Sequence, residues 1–431
     1  MENNVSNKPR LSIGRIMIVG LGFLGINLVW PIFNSFVPLF LQAGNPEYEQ
    51  SLIAAGREVP NITGFGLSPS LAFFIMTWDN IFNVFVSPWA GLKSDQTWTR
   101  FGRRKPWLLV GVPIAAVALT LIPLSRSIFA IMVFIIFMNF GMSLFRTPTV
   151  AWLGDLFPPE KRSQANGIIN LMGGVGGAIA LFGSGMLFDR FGPVAPFLGG
   201  ALMLVLSEGI AVWQVHEPRS INTAQEAKPQ RSFFRNMRSI LKEQGKDTYL
   251  LLISIFLYFM AYESLQTGLT SFGVFTLGIS PGLATITTAL FAGSFIIFSI
   301  PSGILAARLG RKRMMLIGLI AMIAFFTFGY FFINGAWMMG VILVLVGIAW
   351  AFVNVNSLPM VLDFSDGVNI GVFTGLYYVA AQAAAVTGPV LSGAVIEVFG
   401  NDYRLLWIMS ALYVLLAAIV IFPVRAHSKA D

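Results

Sequence analysis

Asp79, Arg146 and Glu263 each interrupt a long apolar stretch of the sequence, and these are the side chains best placed to do chemistry. A charge at the centre of a bilayer costs at least ~2.5 kcal/mol on insertion scales, and intramembrane acids mark ion paths and proton relays. Asp79 is followed one turn later by Asn83, and positions four apart share a helix face. Asn139, Ser143 and Arg146 repeat at i, i+4 and i+7, which predicts a single polar stripe. Arg146 is expected to face an interior cavity, where its planar fork pairs with Asp79 or binds hydroxyls; a fixed structural pair is the other reading. Glu263, Gln266, Thr267 and Thr270 make a second stripe, flanked by Tyr258 and Tyr262. Glu208 lies about two turns inside its apolar stretch and reads as a pore-edge or structural acid, with ion coupling as the other reading.

Other chemistries are excluded by what the sequence lacks. There are 0 cysteines, which removes disulfides, thiolate nucleophiles and cysteine zinc sites. No glycine run is followed by Lys-Ser or Lys-Thr, so no phosphate-cradling loop for ATP is present. No triad or metal-ligand spacing stands out, so neither an enzyme nor a resident cofactor or metal is expected. His216 and His427 both fall in polar segments, so any ion coupling must rest on carboxylates, with a proton or a sodium ion as the coupling ion.

The elements that position these residues follow from composition. Of 431 residues 56% are apolar and 11% charged, against ~25% charged in soluble domains. A crossing needs about 20 apolar residues. Applied along the chain, that rule predicts twelve helices, at 14–42, 67–93, 106–125, 127–153, 164–188, 193–215, 248–278, 281–308, 312–333, 335–362, 369–398 and 402–424. Residues 1–15 are polar and basic with no cleavage-site pattern behind them, so the first run is expected to be a retained helix. An even count puts both ends on one face. Of the 28 Lys and Arg, all except Arg57, Arg126, Arg146, Arg190 and Arg404 then fall on that face. Cytoplasmic loops hold such an excess, so both termini are expected in the cytosol and the protein in the plasma (inner) membrane. The net charge of +8 is thereby explained without nucleic acid as a partner.

Residues 216–247 form the longest polar interval and read as a linker between an N-terminal half, 1–215, and a C-terminal half, 248–431. Each half carries the same loop. Gly91-Leu92-Lys93-Ser94-Asp95 runs on to Arg100-Phe101-Gly102-Arg103-Arg104-Lys105, and Gly303-Ile304-Leu305-Ala306-Ala307-Arg308-Leu309-Gly310-Arg311-Lys312-Arg313 stands at the matching place. Such a pair indicates parallel duplication. Here the chain resembles the major facilitator superfamily. Met76-Thr77-Trp78-Asp79-Asn80-Ile81-Phe82, Pro88-Trp89-Ala90-Gly91, Arg146-Thr147-Pro148-Thr149-Val150-Ala151, Ala165-Asn166-Gly167-Ile168-Ile169-Asn170-Leu171-Met172-Gly173 and Thr374-Gly375-Leu376-Tyr377-Tyr378 are similar to the sucrose/maltose branch of the glycoside–pentoside–hexuronide:cation symporters.

The resemblance implies an all-α membrane protein of twelve helices in two six-helix bundles, rocking about a central site. It implies coupling at Asp79, where the branch also has an acid. The branch tends to hold its second acid where this chain has Gln266; here the acid is Glu263. Ser87 stands before Pro88 where glutamine is usual. A sugar site needs hydroxyl partners and aromatic plates, which predicts contacts from Asn27, Trp30, Asn34, Asn83, Asn139, Arg146, Gln266, Trp350, Asn354, Tyr378 and Gln382. Asn356 and Tyr377 stand beside them. Asp95, Arg103, Arg104, Asp155 and Asp363 are expected as gating partners that latch one face. Gly173, Gly174, Gly176, Gly177, Gly183 and Gly185 leave room for a neighbouring helix, static or sliding.

The expected activity is proton- or cation-coupled symport of a sugar, an α-glucoside disaccharide such as maltose or sucrose, by a monomer in the lipid bilayer. The alternatives are transport of another small metabolite and a non-transporting sugar sensor.

Overall fold

In a bilayer core no water satisfies backbone N–H and C=O groups, so an apolar chain must close its hydrogen bonds within helices. The computed structural model describes residues 13–57, 59, 61–217, 245–365 and 370–425. Most of the expected linker, like His427, lies outside the described residues, and only 216–217 and 245–247 of it are described. Among the described residues there is no strand beyond an isolated bridge, Thr99 with Gly102.

The first six crossings are built from α1 (Ile13–Gln42), the short surface helix α2 (Pro46–Ala54), α3 (Pro69–Met76), α4 (Trp78–Gln96), α5 (Lys105–Leu121), α6 (Ile128–Leu156), α7 (Pro159–Phe191) and α8 (Val194–Gln214). The last six are α9 (Lys246–Ser271), α10 (Pro281–Leu309), α11 (Arg311–Phe332), α12 (Ala336–Leu362), α13 (Ile370–Val398) and α14 (Leu405–Ile421). Eleven of these crossings are long and apolar enough to span a membrane. The twelfth, α14, is apolar but has 17 residues, about 25 Å at the usual rise.

Three crossings depart from regular helix, the third only by a closing 3-10 turn at Ile122–Leu124. The second breaks at Thr77, whose hydroxyl donates to the Phe74 carbonyl at 2.7 Å and whose backbone ends α3 before α4 begins. The break puts Asp79 in the first turn of a new helix, where free amides favour an anion. The seventh runs on beyond Ser271 as one π-turn, Phe272–Thr276.

Within the first six crossings α1 lies along α7 and α8, α5 along α6 and α8, and α4 along α6. Within the last six α9 lies along α13 and α14, α10 and α11 along α12, and α11 along α14. Contact between α1 and α7 is backbone-close: a Cβ on Gly176 would stand 2.6 Å from the Leu24 carbonyl oxygen. Only glycine fits there.

The two sets meet along a seam where α7 packs on α10, α3 on α13 and α1 on α9. Hydrogen bonds tie the seam at the face remote from the chain ends, here the far face. Asp189 of α7 accepts from the Ser280 hydroxyl at 2.7 Å and from the Gly282 amide at 3.0 Å, at the start of α10. Ser70 donates to Glu397, and Asn401 donates to Glu47. Gln42 donates to the Ser271 hydroxyl at 3.4 Å. Helix α2, capped by Asn45, adds Tyr48, which stacks on Phe275 with ring centroids 4.8 Å apart.

Candidate functional site

The seam brings acids of both sets within electrostatic reach. Asp79 on α4 accepts from Asn80 Nδ2 at 2.9 Å. Its charge interacts with Arg146 on α6 and with Glu263 on α9. Arg146 makes no direct ion pair with Asp79; it donates from Nη1 to Asn83 Oδ1 at 3.4 Å, and Ser87 donates to the same oxygen at 3.3 Å. Asn83 is therefore the relay between the arginine and the helix that carries the acid. Thr267 turns back to the Glu263 carbonyl at 2.9 Å, leaving the Glu263 carboxyl free of that hydroxyl.

The aromatic residues divide between packing and exposure. Trp350 is only 3% exposed, with Tyr262 stacked on it at 4.4 Å and Phe259 and Tyr258 edge-on at 5.5 and 5.8 Å. The expected plate against a sugar thus has one face covered by Tyr262, whose hydroxyl accepts from Gln266 Nε2 at 2.7 Å. Gln266 and Trp350 belong to one packed cluster beside Glu263. Tyr378 is 56% exposed, whereas its neighbour Tyr377 is buried against the Ser357 hydroxyl at 3.2 Å. Gln382 and Asn354 are half-buried. Asn356 is buried and donates to Ser302 at 3.1 Å, a bond between α12 and α10.

On α1, Asn27 is exposed, turns its amide back to the Phe23 carbonyl at 2.8 Å and packs on Gly173. Asn34 is half-buried. Trp30 Nε1 is buried without a partner, and so are both amide atoms of Asn139, which is 1% exposed. A buried polar atom left unpaired costs about 1–3 kcal/mol. Asn139 shares its stripe with Ser143 and Arg146, but Asn139 is enclosed in the bundle while Arg146 reaches Asn83.

The expected gating residues fall into two clusters at the terminal face. Arg103 pairs with Asp155 at 2.7 Å and Asp95 at 3.9 Å; Arg104 pairs with Asp95 at 2.6 Å and Asp155 at 2.9 Å. Asp363 stands apart, paired with Arg311 in the other set of helices. Sequence reasoning missed the acid at the centre of the first cluster. Glu217 accepts from the backbone amides of Arg103, Arg104 at 3.0 Å and Lys105 at 3.1 Å, and from Trp152 Nε1 at 3.0 Å. An anion at a helix N-terminus satisfies amides that have no partner within the helix. The local signal was an acid directly after the sixth crossing; the backbone amides it accepts from lie 112–114 residues away and Trp152 lies 65 away.

The far-face bonds join the two sets, whereas the terminal-face ion pairs each stay within one set. At the far face Tyr48 and Tyr403 are buried with their hydroxyls 3.2 Å apart. Burial pushes both phenols above their ordinary range, so the pair keeps its hydrogens.

Comparison with known proteins places this geometry. The family profile described as Major Facilitator Superfamily matches residues 16–296 and 251–431. The chain is 24% identical over 213 residues to the human proton-associated sugar transporter A, covering 46% of this chain and 25% of that protein. It is 28% identical over 139 residues to the sucrose transport protein SUC3 of Arabidopsis thaliana, covering 27% of this chain and 23% of the relative. The chain thus spans about a quarter of the length of these curated relatives. The multidrug resistance protein 2 of Bacillus subtilis is 23% identical over 338 residues, 75% of this chain and 74% of its own. Among solved structures, a mutant of the nucleoside transporter NupG superposes with a TM-score of 0.72 at 16% identity, over 95% of this chain and 99% of that one.

Proposed function

From the premise that this chain belongs to the Major Facilitator Superfamily, we propose that it is a proton- or cation-coupled sugar symporter of the sucrose/maltose branch. Its substrate in this reading is an α-glucoside disaccharide such as maltose or sucrose. The observation that carries the proposal is that Asp79 and Glu263, acids from the two sets of helices, lie within electrostatic reach of one another, with Arg146 within reach of Asp79. Acids so placed hold their ion only while the seam keeps them together, which links ion release to the movement of one set against the other.

Residues 1–215 and 248–431 are the two moving bodies in this reading, joined by 216–247. The Lys and Arg bias supports a cytosolic terminal face, and in this reading the protein is a plasma-membrane monomer. The far-face bonds then make the present state inward-facing. Tyr378 and Gln382 on α13 and Asn27 and Asn34 on α1 supply substrate contacts, with Asp79 and Glu263 as the coupling pair. A proton-associated sugar transporter and a sucrose transporter among the relatives support sugar as the solute class.

Uptake of labelled maltose and sucrose into proteoliposomes, with and without an imposed pH or sodium gradient, tests the proposal. Gradient-driven accumulation of either sugar is expected. Robust transport of an unrelated solute with neither sugar taken up would overturn it. A multidrug relative that covers most of the chain makes a lipophilic solute the second reading, so one such compound belongs in the same assay.

A further inference from the structure

Glu208 on α8 takes no part in the seam, yet it is the most isolated acid among the described residues. It is 1% exposed, and neither carboxyl oxygen has a hydrogen-bond partner. The carboxyl lies over the backbone of α1, where a Cβ on Gly22 would stand 3.2 Å from Oε2 and 3.5 Å from Oε1. A Cβ on Gly25 would stand 3.5 Å from the Glu208 Cγ. These two glycines give the carboxyl its socket.

Nothing in the socket compensates a negative charge. The Thr149 hydroxyl of α6 donates to the Phe145 carbonyl at 2.9 Å, and the Ser207 hydroxyl of α8 donates to the Leu204 carbonyl at 3.1 Å. The surface that α6 turns to Gly22 is the Thr149 methyl. On α1 the nearest basic residue in sequence is Arg15, seven positions and about 10 Å before Gly22. On α5 the basic residue is Lys105, whose charge interacts with Glu217. Asp155 of α6 is engaged with Arg103 and Arg104. An ionised carboxylate buried with no donor and no counter-charge costs several kcal/mol. A hard cation in its place needs several oxygen ligands at once, and no metal-holding group occurs among the described residues.

A groove of about 450 Å³ between α5 and α8 is lined by Leu108, Val112, Val205, Gly209 and Glu208, with Lys105 at the first residue of α5. It reaches from the buried acid towards the terminal face and does not pass through the seam.

We propose that Glu208 is a proton-binding site of its own, distinct from Asp79 and Glu263, occupied in this state and exchanging with solution through the groove between α5 and α8. The site stands whether or not the seam acids couple transport. Losing the proton leaves a bare charge against the α1 backbone, so ionisation loosens α1 from α8.

The test reads protonation of the folded protein and involves no transport, so failure of sugar symport leaves it intact. In purified protein carrying Asp79→Asn and Glu263→Gln, infrared spectroscopy at neutral pH is expected to retain the carbonyl stretch of a protonated carboxyl. Adding Glu208→Gln, which keeps shape and burial, is expected to abolish that band. Adding Gly209→Leu instead fills the groove, because a Cβ at Gly209 meets nothing within 4 Å; the band is then expected to remain while its shift in D2O slows. A band absent before Glu208 is changed, or unaltered afterwards, overturns the site. An unchanged rate in the Gly209→Leu protein overturns the route. Should Glu208→Gln fail to fold, Glu208→Asp supplies the second readout: a shifted band supports the site and an unshifted one refutes it.

Discussion

Tyr48 and Tyr403 face each other across the far end of the seam with their hydroxyls 3.2 Å apart, both buried and 355 positions apart in the chain. One comes from a nine-residue surface helix and the other from the turn before α14. With Gln42 and Ser271 they place four buried polar side chains where the two sets must part for the far face to open. Removing the Tyr403 hydroxyl leaves that of Tyr48 unsatisfied, at a cost of about 1–3 kcal/mol to the closed state, whereas Tyr403 keeps Ser271 when the Tyr48 hydroxyl is removed. Tyr48→Phe and Tyr403→Phe should each shift the population towards far-face opening. Labelling of a cysteine placed at Ser51, in a chain that has 0 of its own, reports the shift; unchanged labelling would refute the role of the pair.

Fixing the same face should stop turnover. Asp189 and Ser280 are joined at 2.7 Å between α7 and α10. A protein carrying Asp189→Cys with Ser280→Cys is expected to lose uptake on oxidation and to recover it on reduction. Full uptake with the bridge closed would show that the far face is no gate.

Asp79 and Glu263 are predicted to act as a unit in coupling. Asp79→Asn should abolish concentrative uptake while leaving sugar exchange, and Glu263→Gln should do the same to a lesser degree. Because their charges interact across the seam, the double substitution should cost less than the sum, by about 0.5–3 kcal/mol of interaction energy. Uptake measured with and without a gradient for the four proteins gives the cycle.

Glu217 should matter to both stability and state. Its carboxylate holds three backbone amides and the Trp152 indole at the start of α5. Glu217→Ala is expected to lower stability by about 0.5–2 kcal/mol, the size of a lost helix cap. The measurement is a melting curve in detergent. Glu217→Asp, with a shorter reach, should recover part of the loss.

Trp350 and Tyr378 are predicted to separate by readout. Trp350 is enclosed by Tyr262, Phe259 and Tyr258, so Trp350→Ala should cost about 3–5 kcal/mol of folding stability. Tyr378 is exposed, so Tyr378→Phe should leave melting unchanged and raise the KM for substrate. The opposite pattern in melting and uptake curves would reverse the two roles.

The crossings were legible because the bilayer leaves an apolar chain no alternative to helices. From 67–93 to 369–398, expected and observed bounds differ by a few residues. What escaped was set by tertiary contact. Nothing around Thr77 carries a proline or glycine to announce the break between α3 and α4, and the helix at Pro46–Ala54 falls between the first two expected spans. Spacing put Gln266 and Trp350 on promising faces but said nothing of Tyr262, which occupies the space between them. Glu217 was invisible as a cap because the amides it holds belong to a distant part of the chain. Asn139, Ser143 and Arg146 all lie on α6, yet a helix face has length, and of the three only Arg146 reaches Asn83.

The break at Thr77 gives the second crossing divided loyalties. Its upper piece, α3, is bedded against α13 of the opposite set, while its lower piece, α4, is bedded against α6 of its own. In the proposed rocking of the two sets, α3 would stay with one and α4 with the other, and Thr77 is the expected joint between them. Asp79 stands two residues beyond that joint. A swing at that joint is expected to change the separation of Asp79 from Glu263, whose charges interact across the seam in the present state.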